Sequence, residues 1–329
     1  MTGRSKRTVP EMNREILIRL SCFLQGKADL GEKEVRTLAE EVQLPLQTVA
    51  CIMLGACLGL DTEQTEDRIL MEQYVQPGFR LLSVRDYLLD SYRQTIHFPA
   101  AKSGRWAFEE KFFESFEVFV RDDLLILEDG REIPRTGAFP ERFPYPTVLE
   151  DGREWMTLAP VEIETMRRPI AEAKGDVLTF GLGMGYYAFH VCLKPEVKRL
   201  TIVEKDAELI RLFRELILPQ FPGKEKIRIV CADAYEFLER TYRPEQFDSV
   251  FCDFWRDAGD GTEHYLRLRQ IEQRYKTRFL YWAEGLLRQQ ASLCEQAEDR
   301  LYDEFSYPRS VLEGPSILRV SDILSYRIK

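Results

Sequence analysis

Gly181, Gly183 and Gly185 interrupt an apolar run, Val177-Leu178-Thr179-Phe180, just ahead of a helix-like segment. Glycines placed between a strand and a helix let backbone pass close to a ligand. A second run, Leu200-Thr201-Ile202-Val203, ends on Glu204. An acid roughly 20 residues beyond such a loop can accept from ribose hydroxyls. Two more extended runs also end on acids: Ile227 to Cys231 leads into Ala232-Asp233-Ala234, and Phe247 to Cys252 leads into Asp253-Phe254-Trp255. A nucleoside-containing cofactor is the expectation. Spacing alone leaves a nicotinamide cofactor open, because Gly183, Gly185 and Ala188 meet the alanine-ending form of the dinucleotide pattern. Three strand ends carrying carboxylates, however, suit a cationic ligand better than a pyrophosphate.

In this order, residues 175 to 257 resemble the class I S-adenosylmethionine-dependent methyltransferases: glycine loop, Glu204 after strand two, Asp233-Ala234 after strand three, Asp253 after strand four. The resemblance implies a Rossmann-like domain and S-adenosyl-L-methionine as cofactor. It implies that Gly181, Gly183 and Gly185 lie against the methionine and ribose part, that Glu204 holds the ribose hydroxyls, and that Asp233, followed by Ala234, accepts from the adenine amino group. Many members carry an acid two residues before the first glycine, where this chain has Thr179. The stretch is also similar to the polyamine aminopropyltransferases, the spermidine-synthase group, which lack that acid and place a hairpin like Val148 to Leu158 before the loop. That group carries Asp-x-x-Asp after strand four; here Asp253 and Asp257 stand one residue further apart. Its Tyr and His ahead of the glycines are absent from Glu162-Ile163-Glu164-Thr165-Met166-Arg167.

Methyl transfer is an in-line displacement at a sulfonium carbon, so the enzyme must align donor and acceptor and exclude water. An acceptor amine or hydroxyl must also lose a proton, a task suited to a carboxylate beside the methyl group. Asp253 is the first candidate catalytic residue and Asp257 the second. Tyr186, Phe254 and Trp255 are candidates for the walls, since aromatic faces favour a sulfonium; ordinary loop packing accounts for them equally. For Asp233 a helix N-cap is the ordinary alternative. The expected activity is a methyltransferase acting on a small-molecule or protein acceptor. An aminopropyltransferase-like enzyme and a non-catalytic cofactor sensor are the alternatives.

Elements must bring these residues together. From 161 onward helices and strands alternate, as a mostly parallel sheet requires, giving an α/β domain over 161–329. Asp206 is placed to cap the helix after Glu204. Beyond Asp257 the chain reads as long charged helix, with a short strand at Phe279-Leu280-Tyr281-Trp282 and no clear closing pair of strands. Ahead of this domain, residues 1–103 read as helical. Val35 to Val49 has a helix-turn-helix pattern, but Gln47 to Leu54 offers no Arg or Lys to DNA, so a buried structural helix is expected. Residues 104–160 form a β-hairpin region in which Leu-Glu-Asp-Gly-Arg-Glu occurs at 127–132 and again at 149–154. Asp-Gly between extended runs is a hairpin signal. These hairpins either seal a sheet edge and join the domains or wall the substrate side.

The 329 residues carry a net charge of −9, which disfavours broad nucleic-acid binding and favours a small molecule or protein as partner. Seven cysteines without a C-x-x-C pair read as buried reduced thiols in a cytoplasmic protein. Three scattered histidines give no ligand spacing, so no metal is expected. No run reads as a signal peptide or a membrane span. A homodimer is left open.

Overall fold

The computed structural model describes residues 7–98, 102–243 and 246–305. Helix α1 (Pro160–Glu172) leads into the central strand β1 (Gly175–Phe180), which continues through α2 (Tyr186–Leu193) to β2 (Val197–Glu204). Then follow α3 (Ala207–Leu212), β3 (Ile227–Cys231), α4 (Ala234–Arg240), β4 (Ser249–Cys252), α5 (Ala258–Glu272), β5 (Phe279–Tyr281) and α6 (Glu284–Phe305). The five strands are parallel in the order β3-β2-β1-β4-β5. This is a Rossmann-like architecture, with the strand order reversing beside β1, where such sheets open a crevice for ligands.

Alternation along the strands feeds two cores. Val177, Leu200, Ile202 and Phe251 pack with residues of α1, α2 and α3, whereas Leu178, Phe180, Val203, Val250 and Cys252 pack with α4, α5 and α6. Both faces of the sheet are therefore covered, which is why these strands read as nearly continuous apolar runs. The expected short strand at 279 is the fifth strand, and it splits the expected long helix into α5 and α6. Residues 306–329 lie outside the described residues.

The N-terminal part is helical at Val9–Gln25, Glu32–Val42, Leu46–Cys57 and Thr65–Leu70, as expected, but it also holds a strand, Phe79–Leu81. That strand pairs in parallel with Thr136–Ala138. Gln47, on the helix that resembled a recognition helix, serves this strand's backbone: its side-chain oxygen accepts from the Leu81 N–H at 2.6 Å. Val49, Ala50, Cys51 and Leu54 of the same helix are buried. Their core extends from Ile16 to Ala138 and so includes Phe116, Val118 and Ile133 from beyond the helices.

Both Asp-Gly hairpins form, by different turns. Asp151 and Gly152 have φ of 50° and 76°, the two positive values of a tight two-residue turn joining Phe143–Glu150 to Arg153–Thr157. In the first copy only Gly130 is positive, at 84°, and the loop closes with the Gly130 N–H donating to the Leu127 carbonyl at 3.0 Å. Strands Lys102–Ser103 and Trp106–Phe113 complete an antiparallel four-stranded sheet with the second hairpin. Pro144 and Pro146 lie within Phe143–Glu150, before the stretch that pairs with Arg153–Thr157. Cys51, Cys192 and Cys252 are buried free thiols, whereas Cys22, Cys57 and Cys231 are exposed. Among the described residues no helix is long and apolar enough to cross a membrane.

Candidate functional site

The carboxyl ends of β1, β2, β3 and β4 border one cavity of about 370 Å³. Gly181, Gly183, Gly185, Tyr186, Glu204, Asp233, Ala234 and Asp253 all line it. Asp257 does not. It begins α5, accepting from the Gly259 N–H at 2.7 Å and the Asp260 N–H at 3.3 Å, so its carboxylate serves as a helix cap.

The glycine loop is shaped by what surrounds it. A Cβ on Gly181 would fall 1.7 Å from the Asp253 carbonyl oxygen, with φ at +96°, so only glycine lets β1 and β4 end side by side. Gly183 meets nothing within 4 Å, which leaves open space for a ligand to approach the backbone. Beneath the loop, the Tyr92 hydroxyl donates to the Met184 carbonyl, and the Tyr186 hydroxyl donates to Asp90 at 3.0 Å. Tyr186 thus presents a ring to the cavity while its hydroxyl is occupied elsewhere.

Two of the strand-end acids are held by backbone. Glu204 accepts from the Leu182 N–H at 3.2 Å and the Asp206 N–H at 2.8 Å, fixing the loop to the end of β2. Burial raises its carboxyl above the usual range, and N–H donors partly counter this. Asp233 caps α4, accepting from the N–H groups of Tyr235 at 2.9 Å and Glu236 at 3.1 Å, and still borders the cavity.

The other end of the cavity is built differently. Burial lifts the Asp253 carboxyl to about 7. Glu162, in the first turn of α1, is pushed to about 8 by burial and then by the charges of Asp253 and Glu154, while the Trp282 indole acts the other way. Glu162 escaped the sequence reading because its partner stands on another element. Its available signal was an acid one residue before the inward-facing Ile163 and four before Met166, which also lines the cavity. All four tryptophans of the chain border the cavity: Trp106 and Trp155 from the hairpin sheet, Trp255 after β4 and Trp282 after β5. The hairpin sheet therefore forms a wall of the site. Arg105 anchors that wall by pairing with Asp206 and with Glu150. His264 of α5 meets the Tyr235 hydroxyl at 2.8 Å and packs against Phe254.

No protein-family profile and no curated protein matches the chain. Among solved structures it is similar to spermidine synthase from Thermotoga maritima, at 20% identity and a TM-score of 0.27, over 33% of this chain and 43% of that one. It is similar to spermidine synthase in complex with the transition-state analogue AdoDATO, at 19% identity and 0.28, over 35% and 43%. A protein assigned as an O-methyltransferase, from Klebsiella pneumoniae, matches at 24% identity and 0.25, over 31% and 44%. The chain thus spans less than half the length of the structures it matches. With five parallel strands in the order 3-2-1-4-5 and a glycine loop at the end of the first, the chain has a Rossmann-like α/β fold.

Proposed function

We propose that the chain is a transferase that binds S-adenosyl-L-methionine against the glycine loop and directs its methyl group to a nucleophile beside Asp253. The observation that carries this reading is the convergence of Gly183, Glu204, Asp233 and Asp253 on one cavity. The residues fit such a cofactor: Gly183 leaves a cradle that a side chain would fill, and Glu204 stands at the end of β2 with its remaining lone pairs available to ribose hydroxyls. The charge of the lining agrees. Six carboxylates, Glu150, Glu162, Glu204, Asp206, Asp233 and Asp253, border the cavity with three cations, Arg105, Lys205 and Arg256.

When bound, the cofactor supplies an electrophilic methyl group on a cationic sulfur. The protein's share is alignment, which can supply about 7–11 kcal/mol of barrier reduction. Asp253, with its carboxyl near 7, is matched to taking a proton from an acceptor at neutral pH. Trp106, Trp155 and Trp255 exclude water from the same space. A second reading, aminopropyl transfer, is favoured by Glu162, because a second acid near Asp253 disfavours a donor that carries a carboxylate tail.

Isothermal titration with S-adenosylmethionine, S-adenosylhomocysteine, decarboxylated S-adenosylmethionine and NAD tests these readings. Binding of the first two, lost in Glu204→Ala, is the expected result. Preference for the decarboxylated donor would favour the second reading, and absence of nucleoside binding would defeat both.

A further inference from the structure

The turn that carries the glycine loop into α2 has no cap of its own. Gly185 stands at the N-cap position, with φ at +83° and no side chain to accept from the first turn of the helix. The residues on either side of it are tied instead to one short segment of the N-terminal region. The Tyr92 hydroxyl donates to the Met184 carbonyl, and the Tyr186 hydroxyl donates to Asp90 Oδ2 at 3.0 Å. The other oxygen of Asp90 caps the helix Ser91–Thr95, accepting from the Tyr92 N–H at 2.9 Å and the Arg93 N–H at 3.4 Å. His190 Nε2, one turn into α2, lies 3.5 Å from the oxygen that receives Tyr186.

Burial opposes the charge of Asp90, but His190, Tyr186 and the Tyr92 N–H outweigh it and hold the carboxyl below its ordinary value. Asp90 is thus a charged acceptor, whose hydrogen bonds are stronger than neutral ones. Tyr92 is fully buried, with its ring against those of Tyr186 and Phe189. A loop with glycines at 181, 183 and 185 is costly to order, and a ligand that had to order it would bind more weakly. Bonds from outside the loop impose that order during folding instead.

We propose that Asp90 is a positioning residue for the donor: together with Tyr92 it clamps Met184 and Tyr186 on either side of Gly185 and holds the glycine loop in the shape the donor needs. This rests on the transferase reading in taking that loop as the donor's seat. The N-terminal region thereby takes a share in donor affinity, although neither Asp90 nor Tyr92 lines the cavity.

Three substitutions separate the clamp from the helix cap, with S-adenosylhomocysteine as probe in isothermal titration of the full chain. Asp90→Ser keeps a capping oxygen but is too short to meet the Tyr186 hydroxyl, so affinity should fall about tenfold. Asp90→Asn caps with its side-chain oxygen and meets the hydroxyl with its amide, so it should stay near wild type. Tyr186→Phe should weaken binding as much as Asp90→Ser, and the two together should do no more than either alone. Wild-type affinity in Asp90→Ser, or additive losses in the double variant, overturns the clamp.

Failure of S-adenosylhomocysteine to bind the wild-type chain would count against the donor reading alone, and amide hydrogen exchange of the unliganded chain then decides the clamp. Asp90→Ser should speed exchange over residues 182–187 about tenfold and leave Val177 to Phe180 at the wild-type rate. Unchanged exchange in the loop overturns the clamp. If Asp90→Ser does not fold, Tyr186→Phe carries both measurements, with the same results expected and the same results overturning it.

Discussion

The two ends of the cavity treat their carboxylates in opposite ways. At the glycine loop, Glu204 and Asp233 each accept two backbone N–H groups. At the tryptophan end, Asp253 and Glu162 accept none, and burial lifts their carboxyls to about 7 and about 8. A carboxylate held by backbone helps the fold whether or not a ligand is present. One left without backbone donors is a standing cost, which a ligand of opposite charge can relieve. The first end is thus settled by folding, and the second keeps buried acids that the backbone does not satisfy.

Gly181 belongs to both ends, so its substitution should have the largest effect. Gly181→Ala drives a Cβ into the Asp253 carbonyl at a positive φ and should destabilise the chain by about 3 kcal/mol or more, measured by denaturant unfolding. A loss below about 1 kcal/mol would mean that β1 and β4 separate easily and that the two ends are not mechanically joined.

Asp253→Asn should act on one end only, and with the opposite sign. The ordinary carboxyl value is 3.8 and the folded value is about 7. Between them the folded chain holds a proton that the unfolded chain has released, so stability falls as pH rises through this window and stays lowered above it. Asn removes the penalty. Thermal melts of the unliganded chain should show the variant stabilised by about 2 kcal/mol at pH near 8 and by almost nothing at pH near 4. Stabilisation of equal size at both pH values would point to packing rather than charge. The same substitution should cost transfer activity, an exchange of function for stability often found where a site is strained or unsatisfied.

Asp257→Ala should have the smallest effect, because it touches neither end. Loss of the cap of α5 should cost about 1 kcal/mol and leave donor affinity unchanged. A fall in donor affinity would return Asp257 to the site.

What could be seen in the sequence follows from how local each feature is. The glycine loop, Glu204, Asp233 and Asp253 each sit at the end of an apolar run, and parallel strands bring such ends to one edge. Glu162, Trp106 and Trp282 reach the cavity from a preceding helix, a hairpin sheet and the residue after the fifth strand. No spacing along the chain relates them. Asp257 misled because a carboxylate near a strand end and a carboxylate at a helix start are the same letter. The strand Phe79–Leu81 was hidden for a related reason: its pairing partner, Thr136–Ala138, lies far along the chain. Conversely, Asp151-Gly152 announced its own turn, because both residues carry the positive φ that the pair favours.

The N-terminal core also orders events during synthesis. Its residues, from Ile16 to Ala138, all precede Gly175, the first residue of the central strand. At about 5–20 residues per second, a ribosome delivers that complete core seconds before the parallel sheet begins to form. Tyr92 and Asp90 are then already present when Met184 and Tyr186 emerge to meet them. Trp282 comes nearly a hundred residues after the glycine loop, so the cavity closes late. The nascent chain folds its first half with no finished site in which a donor could lodge.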